Sequence, residues 1–287
     1  MITGEVRLEV TKDAICQSEI LNISNLSVIR SGTQIIHDIN LSILCGEFVG
    51  IVGPNGGGKS TLLLTILGIL KQKTGKVQIY GNEPSSKSVI GRVGWVPQAA
   101  SHLPSNVQIT VRELIQLGTL NKKSFFQITK KDRAKVDKVL QLIGLEDVAN
   151  KRISRLSGGQ RQRAAIGKAL ASDADLILMD EPMVGVDRES RNSLLKLLDR
   201  LCHEENKTIL MVSHDLATIK QTVHRMIHLE ETISFDGSTS DFPDLSRLAE
   251  LRGIQATHDD PTQSNTDLKQ PNLDPLIIVP KSKGEEK

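Results

Sequence analysis

The order of apolar and polar positions divides the chain into stretches of different period. From Ile20 to Leu44 apolar residues alternate with polar ones: Leu21, Ile23, Leu26 and Val28, then Ile35, Ile36, Ile39, Leu41 and Ile43. A period of two predicts antiparallel strands. Phe48-Val49-Gly50-Ile51-Val52 is apolar throughout and predicts a buried strand; an apolar helix from Leu62 to Leu70 and a strand over Lys76–Tyr80, closed by Gly81-Asn82, follow it. After Gln98 the spacing becomes helical, over Val111–Leu117, Lys130–Ile143 (Val136, Val139, Leu140, Ile143) and Arg161–Leu170. Residues 99–172 therefore read as a helical subdomain. Beyond it come a continuous apolar strand at Leu176–Met179, a helix at Glu189–His203, a strand at Lys207–Val212, a helix at Leu216–His224 and a strand at Arg225–Leu229. Strands and helices in alternation predict an α/β fold whose parallel sheet rejoins the strand at 48–52.

The two ends lack such patterns. Residues 1–18 read as an N-terminal arm and 241–287 as a C-terminal extension, leaving 19–240 as the folded domain. From Thr257 onward the extension is rich in Asp, Pro, Gln, Asn, Lys and Ser, a composition that buries little and predicts disorder. Leu276-Ile277-Ile278-Val279 is its one apolar run, open to docking on a surface or a sheet edge.

Composition narrows the function by exclusion. A net charge of +2 over 287 residues gives no electrostatic footprint for nucleic acid, and an aromatic content of 2% leaves few rings for base stacking. No apolar run reaches the length of a membrane helix, and the first residues lack the basic and apolar regions of a secretory signal. Cys16, Cys45 and Cys202 are far apart in sequence, so free thiols in a reducing cytosol are expected.

The chemistry concentrates between the strand at 48–52 and the helix after it. Gly53-Pro54-Asn55-Gly56-Gly57-Gly58-Lys59-Ser60-Thr61 matches the phosphate-binding pattern G-x-x-x-x-G-K-[ST] in the strand–loop–helix setting that pattern requires. Glycines let backbone N–H groups approach a triphosphate without Cβ clashes, and the helix start adds its dipole and unpaired donors. Lys59 is expected to reach the β- and γ-phosphates and Ser60 to ligate Mg²⁺. Further along, the buried strand Leu176–Met179 ends in Asp180 and Glu181. A carboxylate at a strand end beside the loop suits Mg²⁺, directly or through its water, so Asp180 is the expected metal residue and Glu181 the base that polarises the attacking water. A second glycine pair opens another helix: Ser157-Gly158-Gly159-Gln160, a further phosphate cradle at a helix N-terminus.

With Leu156 before it, that last run resembles the Leu-Ser-Gly-Gly-Gln signature of the ATP-binding subunits of ATP-binding cassette (ABC) transporters. Other family motifs stand in order: Val96-Pro97-Gln98 resembles the Q-loop, Gly185-Val186-Asp187 the D-loop and Ser213-His214-Asp215 the switch histidine. The resemblance covers roughly residues 20–240. It implies a P-loop NTPase of ABC type: a parallel core sheet, an N-terminal antiparallel β subdomain and an inserted helical subdomain. It implies ATP and Mg²⁺ as cofactors, Gln98 as a Mg²⁺ sensor, His214 at the γ-phosphate and Asp187 at a dimer interface. In such a homodimer each loop at 53–61 faces the partner's Ser157–Gln160. The partners implied are membrane permease subunits and a solute-binding protein, with no nucleic acid, at the cytoplasmic face of the membrane.

The runs Val93–Gln98 and Met211–Leu216 look like those of zinc and manganese importer ATPases. Open beside this reading are an iron complex or another solute, an export ATPase, and a non-transport ABC ATPase acting on DNA or ribosomes. Two positions depart from the family pattern. Arg30 stands near the place of an adenine-stacking aromatic, and Gly57 replaces a more usual Ser or Ala.

Overall fold

Residues 18–98, 108–120, 128–220 and 222–242 are described by the computed structural model. The expected N-terminal arm up to residue 17, the start of the helical stretch at 99–107 and the extension from residue 243 onward, with Leu276–Val279, lie outside the described residues.

The alternating stretch forms β1 (Glu19–Arg30) and β2 (Thr33–Leu44), antiparallel and paired Leu21↔Ile43 and Ile23↔Leu41. Ser31 and Gly32 between them both have positive φ, the backbone that a two-residue hairpin turn demands. β4 (Thr74–Ile79) pairs antiparallel with the other side of β1, giving a three-stranded sheet in the order β2-β1-β4.

The second sheet holds β5 (Val93–Val96), β6 (Leu176–Asp180), β7 (Thr208–Val212), β3 (Phe48–Val52), β8 (Arg225–Glu230) and β9 (Thr232–Ser238), side by side in that order. Every neighbouring pair is parallel except β8 and β9. β3, β6 and β7 are buried at every position, which is why their sequences are apolar without alternation. The hydrophobic pattern predicts neither β5 nor β9. β5 is four residues long, too short to show a period. β9 is an edge strand, exposed at every second residue or nearly so. One apolar core takes Leu21, Ile36 and Ile79 from the first sheet, Val49, Leu178 and Ile227 from the second, and Leu62, Leu63 and Ile66 from α1 (Lys59–Ile66).

α1 begins and ends earlier than the apolar run 62–70 suggests. Its polar first residues, Lys59 and Ser60, belong to the helix, and Gly68, at φ 70°, turns the chain away after it. α2 (Val111–Leu117), α3 (Lys130–Ile143) and α4 (Gly158–Ala171) each open on a capping box: Thr110 with Glu113, Thr129 with Asp132, Ser157 with Gln160. α4 packs tightly on the other two. A Cβ on Gly167 would stand 2.7 Å from Ile143 Cδ1 and 3.2 Å from Ile115 Cδ1. α5 (Arg188–His203) is capped by Asp187. α6 (Leu216–Lys220) stops short of the expected His224, whose N–H donates to Phe48 O at 3.0 Å and fixes the entry to β8.

Polar contacts tie the sheets at their margins. Tyr80, just after β4, donates to Asp175 Oδ2 at 3.0 Å, and the Arg92 guanidinium lies 3.6 Å over its ring while bonding the same carboxylate. Arg225 at the start of β8 donates to Ser42 O in β2 and to both carboxylate oxygens of Asp236 in β9.

Candidate functional site

Parallel strands end on one edge of a sheet, and here each of four strands delivers an expected site residue there. Gly53 follows β3, Gln98 comes shortly after β5, Asp180 closes β6 with Glu181 next, and His214 lies just past β7. This is the edge at which open α/β sheets bind ligands. A cavity of about 210 Å³ opens there, lined by Asn55, Gly56, Gly58, Lys59, Ser60, Thr61, Gln98, Asp180 and Glu181, with Ile35 and Val212.

The glycine loop is held by close backbone approach. A Cβ on Gly53 would lie 2.0 Å from Leu229 O, and one on Gly58 would lie 2.1 Å from Ile36 Cγ2; Gly58 also sits at φ 90°. Gly57, the departure from the usual Ser or Ala, has a reason in packing: a Cβ there would lie 2.9 Å from Leu229 O and 3.1 Å from Pro54 O. Glu231 in the β8–β9 turn donates its N–H to Gly57 O at 3.2 Å and accepts from His37 N–H, so that turn clasps the loop against β2. Lys59 is buried, and its Nζ donates to Gly53 O at 2.9 Å and Pro54 O at 2.7 Å. Burial lowers its pKa, opposed by the nearby charges of Glu181 and Asp180.

The two carboxylates at the end of β6 have different surroundings. Asp180 is 7% exposed, and its Oδ1 is buried without a hydrogen-bond partner. Burial raises its pKa, against the lowering effect of the Ser60 hydroxyl and the Lys59 charge. Glu181 sits at φ 49°, a left-handed conformation that turns its side chain out of the strand direction. Its Oε2 lies 2.7 Å from His214 Nδ1, and its backbone N–H donates to Val212 O across to β7. The glutamate is nearly buried and the histidine largely exposed, so the pair bridges cavity and solvent.

The second glycine pair lies elsewhere. Ser157 accepts from Gln160 N–H at 3.2 Å, while Gln160 Oε1 accepts from Ser157 N–H at 3.1 Å. A Cβ on Gly158 would lie 2.7 Å from Gly185 O, and one on Gly159 would lie 2.5 Å from Ser190 Cβ. The helix start at 157–160 and the segment around Asp187 therefore pack on each other. Asp187 accepts from Ser190 N–H at 2.9 Å, and that bond holds its carboxyl below the usual range. None of Ser157, Gly158, Gly159, Gln160 or Asp187 lines the cavity. One chain thus gathers the loop, Gln98, Asp180 and Glu181, with His214 attached through Glu181.

The sequence pattern did not point to Ile35, Val212, the Leu229 carbonyl or the Glu231 N–H as parts of this neighbourhood, because two of them act through backbone atoms and two are generic apolar residues. It also gives no sign that Arg191 in α5 bonds Asp215 at 2.9 Å beside His214. Arg30 ends β1 opposite Thr33 and is not among the cavity residues.

A glycine loop between a buried strand and a helix, closed by a lysine and faced by two carboxylates on a nearby strand end, defines a P-loop nucleotidase. Comparison with known proteins narrows the class. The pattern of the family described as ABC transporter matches residues 36–184. The zinc uptake system ATP-binding protein ZurA of Listeria monocytogenes is 34% identical over 241 residues, 82% of this chain and 94% of that protein. The manganese transport system ATP-binding protein MntB of Bacillus subtilis is 36% identical over 199 residues, 69% of this chain and 78% of that one. Among solved structures, cbiO1 from Clostridium perfringens, part of the ABC transporter complex cbiONQ, superposes with a TM-score of 0.70 at 27% identity, covering 82% of this chain and 96% of that one. The chain belongs to the ABC transporter family, and it is an ATPase.

Proposed function

We propose that this ATPase powers the import of a divalent metal ion, zinc or manganese, through a separate membrane permease. The observation that carries the solute class is kinship with the zinc and manganese systems named above, over most of both chains. Kinship with ATP-binding proteins of transport systems assigns the solute path to permease subunits, with this chain attached peripherally at the cytoplasmic face; among the described residues no helix is long and apolar enough to cross a membrane. A solute-binding protein on the other side completes the assembly.

In this reading ATP binds along Gly53–Thr61. Ser60 and Asp180 would hold Mg²⁺, with Gln98 close by. Three observations support that fit: an unpartnered, buried Asp180 oxygen, a neighbouring Ser60 hydroxyl, and a donor set of hard oxygens of the kind Mg²⁺ prefers. When bound, the ion neutralises charge on the phosphate oxygens. Lys59 exchanges its two loop carbonyls for phosphate oxygens. Glu181 accepts a proton from the attacking water, and His214, hydrogen-bonded to it, holds the carboxylate in orientation and reaches the γ-phosphate. Ser157 and Gly159 serve the nucleotide of a second copy, and Asp187 lies at the same contact. Hydrolysis removes the bridging charge and the two copies separate.

The test is the metal content of cells whose only copy carries Glu181→Gln, grown under metal limitation. A selective fall in zinc or in manganese is expected. Unchanged zinc, manganese and iron would overturn the metal assignment while leaving the ATPase in place.

A further inference from the structure

A second cluster of metal-ligating side chains lies away from the nucleotide cavity. Asp199 and His203 are one turn apart on α5, and His224 stands in the turn that enters β8. Their ligand atoms all lie within 4.8 Å of one another. The rings of His203 and His224 meet edge to face, with centroids 5.1 Å apart at 89°. From these positions we infer that Asp199, His203 and His224 form a binding site for one zinc-type divalent ion.

Four physical features support the assignment. First, zinc binds imidazole nitrogen at about 2.0–2.1 Å, which in a tetrahedron sets ligand atoms about 3.4 Å apart. All three side chains are exposed, so they have room to draw in from 4.8 Å. Second, His203 Nδ1 lies 3.0 Å from Asp199 O and 3.2 Å from Asp199 Oδ1. These two side chains already meet on one helical turn, so a ring nitrogen of His203 and the Asp199 carboxylate face one position. Third, His203 is the last residue of α5, a sixteen-residue helix whose final carbonyls favour a cation. Fourth, His224 is anchored through its backbone bond to Phe48 O, and Val223 beside it is buried, so one ligand comes from a fixed point of the core.

Two imidazoles and one carboxylate, with water in the fourth position, suit zinc better than magnesium, calcium or manganese, which favour oxygen donors. Cys202 is not among the ligands: it is buried in the core, whereas the three side chains of the cluster are exposed. The site does not depend on which solute the transporter moves. Its occupant would fasten the end of α5 to the turn before β8, and α5 at its other end carries Arg191, bonded to Asp215 next to His214.

The experiment uses the full chain, stripped with EDTA and dialysed against zinc chloride with excess Mg²⁺ to occupy oxygen-donor positions at the nucleotide cavity. Bound zinc and Tm are measured for wild type, for His203→Asn/His224→Asn, and for Asp199→Ser. Wild type should retain one equivalent more than the double variant and should gain Tm with zinc. Asp199→Ser should weaken binding about ten-fold, and the double variant should lose the Tm gain. Metal-free Tm and basal ATP turnover should match wild type in both variants, which verifies the fold. Equal zinc in wild type and the double variant, including none in either, would overturn the site. If the double variant fails to fold, undiminished zinc affinity in Asp199→Ser would overturn it as well.

Discussion

Asp180 shows at a single residue how function is set against stability. Its carboxylate is buried at the end of β6 with one oxygen unpartnered, and burial raises its pKa. A carboxyl with a raised pKa in the fold favours folding below the ordinary carboxylate range, and that contribution is lost as pH rises through the elevated value. At neutral pH the ionised group therefore weakens the nucleotide-free fold. Asp180→Asn is expected to stabilise the protein on the order of 1 kcal/mol, or about 2–4 °C in Tm at pH 7. The advantage should shrink as pH falls through the raised value and be gone below about 4, where both states of wild type are protonated. Thermal melts across pH check this, and the same variant should lose Mg²⁺-dependent turnover. A wild-type Tm at or above that of the variant at pH 7 would show that the Lys59 charge and the Ser60 hydroxyl already compensate the burial.

At the scale of elements, the start of α4 combines two demands on one residue. Ser157 caps the helix in a reciprocal box with Gln160, and it is exposed where a second copy's nucleotide is proposed to bind. The two roles separate by substitution. Ser157→Ala removes the cap and should cost about 1 kcal/mol, whereas Ser157→Asn keeps a capping side chain and should cost little. If Ser157 also meets phosphate, ATP turnover should fall in both variants while only the alanine lowers Tm. Turnover that tracks Tm would reduce Ser157 to a helix cap. The same scale explains the tight join between α4 and the segment before α5. Gly158 and Gly159 leave no space for a Cβ against Gly185 and Ser190, so movement of one segment is transmitted to the other.

For the whole molecule, the cavity residues and the Ser157–Gln160 run lie at different places on one chain, and the proposed mechanism joins them only between two copies. Glu181→Gln should bind ATP with near wild-type affinity, hydrolyse it about 10²–10⁴-fold more slowly, and sediment as a dimer with ATP. Wild type after turnover should sediment as a monomer. A Glu181→Gln protein that hydrolyses at the wild-type rate would remove Glu181 from its role as base. One that hydrolyses slowly but stays monomeric with ATP would remove the two-copy arrangement instead.

Much of this was legible in the chain because it is written in local pattern. The apolar period located β1, β2, β3, β6, β7 and β8, and the spacing at 111–117 and 130–143 matched α2 and α3. The loop Gly53–Thr61 was legible as a candidate phosphate cradle because residue types and neighbours alone carry that pattern. Other features had no local signature. β9 is an edge strand whose pairing with β8 is decided by the sheet, and only that pairing brings Leu229 O and Glu231 N–H onto the glycine loop. The bond between Glu181 and His214 spans neighbouring strands, so their meeting depends on strand order rather than on sequence spacing. The same holds for His224 beside His203. The sequence by itself determined which residues could bind phosphate, cap a helix or fill a core, because those properties reside in side chains and their immediate neighbours. Tertiary structure decided which of those residues meet, because long-range pairing and backbone approach are set by the packing of distant segments.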